Sequence, residues 1–260
     1  MSITKWILWA YPLIACQFAP GQQQQQQAVV RDSQGVSILG QVLAAAGGSA
    51  AVAAINDYTA TGTVTYYWRT PAEGSVTVRG SGVHEFRLDA SLSGGERSWI
   101  VNGNSSYLKN PDGSTTNLPS QNTVRSANNM FPLLTVLRAV QDPSLNVSYA
   151  GVVSHDGQQL DEVTVRQSVQ NDPTGAMGKI TQEHIFIDPQ ALTVFSIEDY
   201  AYARNGLGDY PHELQFGGYQ SVSGVLVPLS ISESISGQKT LLIQLNQMKF
   251  NSGLTESDFE

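Results

Sequence analysis

The side chains with the means to do chemistry are few and dispersed. Four histidines, His84, His155, His184 and His212, fall in separate segments. Neither His84-Glu85 nor His212-Glu213 extends into the two-histidine helical pattern of zinc proteases. Zinc needs three or four converging ligands, and no cysteine is there to help. The histidines therefore read as strand-face or turn residues, and no metal site is expected. Two carboxylate pairs, Asp161-Glu162 and Glu198-Asp199, invite comparison with a glycosidase, but neighbours on a strand point to opposite faces, so they read as solvated strand ends. The chain has no Gly-x-Ser-x-Gly elbow and no glycine-rich strand-to-helix phosphate loop. No catalytic residue and no cofactor is expected, which places the chain outside the enzymes.

The aromatic residues Tyr66, Tyr67, Trp68 and Trp99 admit two roles, packing in a core or stacking on sugars from an exposed sheet, and core packing is the one expected. Tyr200, Tyr202 and Tyr210, near the loop from Arg204 to Asp209, are placed to form a rim at a cavity mouth. The net charge of −8, with basic residues scattered singly, excludes a surface that neutralises phosphates, and nucleic acid with it.

These side chains must be positioned by a chain of 260 residues that is 41% hydrophobic and only 14% charged. Plentiful Thr, Ser, Val, Asn and Gly suit strands and turns. At the N-terminus Lys5 precedes an apolar stretch from Trp6 to Ala15, roughly ten residues, too short for a bilayer that needs about twenty. It reads as a secretory signal. Its end, Leu13-Ile14-Ala15-Cys16, resembles the lipobox of bacterial lipoproteins and contains the chain's one cysteine, so Cys16 is the expected lipidation site. An ordinary signal cleaved just after Phe18-Ala19-Pro20-Gly21 fits as well, and both readings export the chain. Gln22 to Gln27 cannot bury apolar surface and reads as a solvated tether. Residues 1–27 are thus assigned to targeting and linker, and 28–260 to one β domain.

Within that domain Val36, Leu39, Leu43 and Ala46 recur at helical spacing from Ser33, Gly47-Gly48 stops the helix, and Ala50 to Ile55 continues it. Period-two patterns follow over Tyr58–Trp68, Ser75–Val78, His84–Ala90 and Trp99–Val101, and Asn102-Gly103 predicts a hairpin into Ser106–Lys109. A second helix is predicted over Val124–Val140, apolar on every face through Met130, Leu133, Leu134, Val136 and Leu137. Pro132 suits only a helix start or a kink, which moves the true start toward Asn129–Phe131. The second half reads as strands over Val147–Val153, Val163–Val169, Thr181–Ile187, Thr193–Tyr202, His212–Tyr219, Val225–Ile235 and Thr240–Phe250. In Val225–Ile235 the residues Val225, Val227, Leu229 and Ile231 face one way. Sequential strands joined by short turns build an antiparallel meander that must close or cover its dry face with helices.

Toward the C-terminus, Phe216 to Tyr219 is followed by Val222, Gly224-Val225-Leu226-Val227-Pro228, a turn at Ser236-Gly237-Gln238, and Phe250-Asn251-Ser252-Gly253-Leu254 running to Asp258-Phe259. With the order of helix, strands, buried helical insertion and further strands, this segment resembles the LolA- and LolB-like periplasmic lipoprotein-carrier family. The resemblance implies a mainly β, α+β fold: a curved antiparallel half-barrel sheet with two or three helices over its concave face, and a cavity there that receives acyl chains. It supplies no specific functional residue to carry over. With Cys16 lipidated, the chain stands closer to a membrane-anchored acceptor than to a soluble shuttle.

The expected cavity wall is Val64, Phe86, Leu88, Leu133, Leu134, Leu137, Val227 and Leu229, and the expected ligand a lipid or lipoprotein acyl chain, in the periplasm or at the outer membrane of a bacterial envelope. The alternative is the same fold packed solid, a non-catalytic anchored module whose loops contact another envelope protein.

Overall fold

The computed structural model describes residues 29–68, 70–123, 130–169, 172–203 and 208–260. Cys16, the glutamine run and the signal segment lie outside them, as do the first six residues of the predicted second helix and most of the loop after Tyr202.

Among the described residues the first meander runs through β1 (Asp57–Tyr66), β2 (Ala72–Ser81), β3 (Glu85–Leu92), β4 (Gly95–Asn102), β5 (Ser105–Lys109) and β6 (Thr115–Asn117). The second contains β7 (Leu145–His155), β8 (Gln158–Gln167), β9 (Glu183–Asp188), β10 (Thr193–Tyr202) and β11 (Asp209–Gly217). After a separate hairpin of β12 (Gln220–Val222) and β13 (Val225–Val227) it ends with β14 (Ser230–Ile235) and β15 (Gln238–Phe250). The long last strand pairs antiparallel with β1 and joins the meanders into one thirteen-stranded sheet of order β6-β5-β4-β3-β2-β1-β15-β14-β11-β10-β9-β8-β7. The sheet curves but does not close, leaving β6 and β7 as its edges.

Helices α1 (Ser33–Ala45), α2 (Ser49–Ala53) and α3 (Pro132–Gln141) cover one face. Asp32 caps α1 by accepting from the Gln34 amide, and its other carboxylate oxygen accepts from the Tyr149 amide on β7, so one side chain both starts the helix and seats it on the sheet. Gly47 and Gly48, at φ 112° and 99°, end α1 where the sequence predicts. A Cβ on Gly47 would stand 2.4 Å from the Gly224 carbonyl oxygen, so the turn packs directly on the β12–β13 hairpin. Helix α3 starts at Pro132, whose missing N–H costs nothing at that position. Its C-terminal carbonyls are gathered by Arg31, which donates to the carbonyls of Ala139, Val140, Asp142 and Leu145 at 2.8–3.2 Å.

Between helices and sheet lies one continuous core in which Leu39, Val42 and Leu43 of α1 and Leu133, Val136 and Leu137 of α3 meet the inward residues of the strands. Tyr58 packs against Phe131 with ring centroids 5.1 Å apart. A smaller apolar contact occupies the opposite face, where a C-terminal turn of 3-10 helix, Glu256–Phe259, lies on β3 and β4 and both Phe259 and Ile100 are fully buried.

Three sequence expectations need correction. The predicted strand Val225–Ile235 is two strands: Pro228 has no N–H for a ladder, and Leu229 instead donates to the Gly217 carbonyl and accepts from the Leu245 amide. β13 therefore pairs with β12 alone, outside the large sheet. The strand predicted over Val163–Val169 starts earlier, at Gln158, directly after the Asp156-Gly157 turn. The β4–β5 turn is made by Gly103 and Asn104, because Asn102 still pairs with Ser105.

Candidate functional site

On the helix-covered face, beside the core, the sheet holds a partly open cavity of about 270 Å³. Strand alternation explains its lining. Val64 faces the core, so Tyr66 two residues on faces the same way, opposite Leu241. Arg97 and Trp99 stand on the same face of β4, paired with Ala90 and Leu88 of the core. Leu108, Leu118, Ile235 and Leu214 complete an apolar wall, and the indole of Trp68, 59% exposed, stands at its edge.

One side of this apolar wall is ionic. Asp199 of β10, His212 of β11 and Glu233 of β14 occupy the inward parity of their strands, in line with Ile197, Leu214 and Ile231. His212 donates from Nδ1 to Asp199 at 2.7 Å and from Nε2 to Glu233 at 3.3 Å, and Thr240 donates its hydroxyl to the other Glu233 oxygen. Burial alone would lower the imidazole, but the two carboxylates outweigh it and push His212 up to about 10. Burial likewise opposes ionisation of Glu233, yet its bonds to His212 and Thr240 hold it below the usual carboxylate range. The cluster is an imidazolium bridging two carboxylates. Across the cavity the Arg97 guanidinium lies 5.6 Å from the Tyr66 ring centroid, and burial pushes the Tyr66 hydroxyl up to about 12. Arg97 Nε and Trp99 Nε1 are both buried without a hydrogen-bond partner among the described residues.

Of the residues singled out in the sequence as cavity wall, Val64, Phe86, Leu88, Leu133, Leu134, Leu137 and Val227 are close-packed in the core, 9% exposed or less, and Leu229 packs at its margin. None lines this cavity. Tyr66, Trp68 and Trp99 do line it, as does Tyr200 of the expected rim. Tyr67 lies instead under the Lys239 ammonium, and Tyr210 is exposed. Asp199, expected at a solvated strand end, and His212, expected on a strand face, are instead joined in the cavity wall with Glu233, which the sequence reading did not single out; polar residues at the apolar parity of a strand are the readable signal.

The outer face carries a second polar group. Glu198 and Asp199 do point to opposite faces, and so do Glu213 and His212, so these sequence neighbours serve two different clusters. On the outer side His155 contacts Glu213 at 2.9 Å, with Glu198 4.0 Å from its other ring nitrogen. His184 contacts Glu162 at 2.6 Å. The expectation of dispersed histidines is thereby corrected: His155, His184 and His212 come from separate segments, yet adjacent strands bring them to one region of the sheet.

The sheet is open and antiparallel, wrapped on helices, with a cavity on the wrapped side. No protein-family model and no curated protein matches the chain. Solved structures match it in fold. An outer membrane lipoprotein-sorting protein domain from Vibrio parahaemolyticus aligns at 14% identity and TM-score 0.51, over 87% of this chain and 96% of that one. A DUF1329 family protein from Desulfovibrio piger aligns at 10% identity and TM-score 0.52, over the same shares. A LolA superfamily protein from Nitrosomonas europaea aligns at 10% identity and TM-score 0.51, over 84% of this chain and 96% of that one. At these identities the likeness establishes the fold alone. No helix among the described residues is long and apolar enough to cross a membrane.

Proposed function

We propose that this is a bacterial envelope protein whose inward cavity takes the apolar part of a lipid or of a lipoprotein's acyl chains. The observation that carries the proposal is the apolar wall of Trp99, Leu108, Leu118, Leu214 and Leu241 around unfilled space beside an otherwise close-packed core. Each methylene moved from water into such a wall contributes about 0.8 kcal/mol. Arg97 Nε and Trp99 Nε1 lack acceptors among the described residues, and leaving a buried donor unpaired costs about 1–3 kcal/mol. The lipoprotein-sorting description of a fold neighbour is consistent with this reading. Export by the N-terminal segment, anchoring through Cys16, and residence in the periplasm or at the outer membrane belong to the same proposal, which includes no catalytic step.

A second reading, an anchored non-catalytic interaction module, is favoured by the solid packing of Val64, Phe86, Leu88 and the α3 leucines. Native mass spectrometry of the protein made in a bacterial periplasm, followed by solvent extraction, separates the two. The carrier reading expects a stoichiometric lipid that is lost with Leu108→Glu, a change on the cavity wall at a half-buried site. A clean ligand-free mass for the wild type favours the interaction module.

A further inference from the structure

We propose that the outer face of the sheet carries a site for a first-row divalent transition-metal ion, ligated by His155, Asp156 and Glu213, on the side of the sheet opposite the cavity. The donor atoms of these three side chains lie within 4.8 Å of one another. Two donors in a tetrahedral shell with bonds of about 2.1 Å stand about 3.4 Å apart, so side-chain rotations of the order of 1 Å must bring the three together on an ion. The three are placed by the sheet: His155 ends β7, Asp156 opens the turn into β8, and Glu213 is in the middle of β11.

The surroundings orient the donors. The His155 ring stacks on Phe186 with centroids 4.0 Å apart and planes 14° from parallel, which fixes its plane. Glu198 stands 4.0 Å from His155 Nδ1, beyond hydrogen-bond length, on the side away from Glu213 from which an outer carboxylate steers a ligating imidazole. Gln215 Nε2 lies 3.4 Å from Asp156.

Electrostatics call for a cation. Glu198 and Glu213 are direct cross-strand partners, an arrangement in which like charges destabilise a sheet. The depression containing the site has a volume of about 420 Å³, room for water ligands; no lysine or arginine lines it, and the His212 imidazolium at its border is already shared by Asp199 and Glu233. Mixed imidazole and carboxylate donors select zinc, copper, nickel or cobalt over calcium or magnesium, which prefer all-oxygen shells.

The test is calorimetric titration of the untagged, chelator-stripped full chain with zinc chloride, paralleled by cobalt chloride followed through its visible absorption. One equivalent of zinc is expected to bind, with magnesium failing to compete. Glu213→Gln and Asp156→Asn are each expected to weaken zinc at least tenfold, while His84→Asn leaves it unchanged. Glu213→Gln removes a like charge at constant shape, and Asp156 is exposed on a turn, so both variants retain the fold, which circular dichroism checks. Absence of zinc binding to the wild type, or binding unaltered by both Glu213→Gln and Asp156→Asn, overturns the proposal. Lipid binding is read separately, so failure here leaves the cavity reading standing.

Discussion

His212→Leu tests the ionic side of the cavity. The substitution keeps much of the side-chain volume but removes the imidazolium that Asp199 and Glu233 share, leaving two carboxylates in a site where the Glu233 side chain is 17% exposed and that of Asp199 6%. Breaking a buried pair by removing one partner costs about 3–5 kcal/mol. For a chain of this size each kcal/mol moves the melting temperature by about 2–4 °C, so a loss of roughly 6–20 °C is expected by calorimetry, matched in urea unfolding. The pH dependence carries a separate signature. His212 is raised to about 10 from an ordinary 6.5, so its contribution is whole below pH 6.5 and drains as pH rises toward 10. Glu233 is lowered from 4.5, so its contribution is present above that value and is lost as pH falls through the lower folded one. The two together stabilise most between about pH 4.5 and 6.5. In His212→Leu the alkaline decline should vanish, so the stability gap between wild type and variant should narrow as pH rises toward 10. Adding Glu233→Leu should restore part of the lost stability, because the pair is coupled. A His212→Leu protein within 1 kcal/mol of wild type, with the same alkaline slope, would refute the imidazolium bridge.

Two other substitutions probe the frame that holds the cavity. Arg31→Met keeps the apolar stem but releases the carbonyls at the end of α3, and a loss of about 1.5–3 kcal/mol is expected from urea unfolding, since hydrogen bonds to charged groups are worth that much; an unchanged midpoint would remove Arg31 from the account. Leu134→Asp places a carboxylate in a core position 6% exposed and is expected to cost more than about 4 kcal/mol or prevent folding, measured by circular dichroism and urea; a folded protein within 1 kcal/mol of wild type would show that α3 does not bury this face.

Local rules were legible along most of the chain. Period-two alternation located β1, β3 and β10, Gly47-Gly48 marked the end of α1, and Pro132 marked the start of α3, because each depends on the chemistry of a few adjacent residues. The break at Pro228 was legible in principle, since a proline within a strand pattern demotes it, but the apolar alternation through Leu229 and Ile231 concealed it. The pairing of β1 with β15 could not be read locally: partners such as Tyr58 and Phe250 are joined only by the register of the whole sheet. The cavity failed to appear for a related reason. The most apolar positions, Val64, Phe86 and the α3 leucines, fill the core, while the cavity borders residues of mixed character, Arg97, Trp99, His212 and Glu233, whose convergence requires strands from both meanders. His155 and Glu213 meet on the outer face by the same logic, and isolated histidine motifs carry no trace of it.

An acyl chain with bromine on its tail reports on the space beside Trp99 by quenching nearby indoles. The full chain has four tryptophans, and Trp6→Phe with Trp9→Phe leaves only Trp68 and Trp99 to emit. Saturable quenching of Trp99 fluorescence by a brominated phospholipid, retained in a Trp68→Phe background and lost with Leu108→Glu, is the expected result. Quenching that is absent, or that persists undiminished in Leu108→Glu, would contradict an acyl-binding cavity.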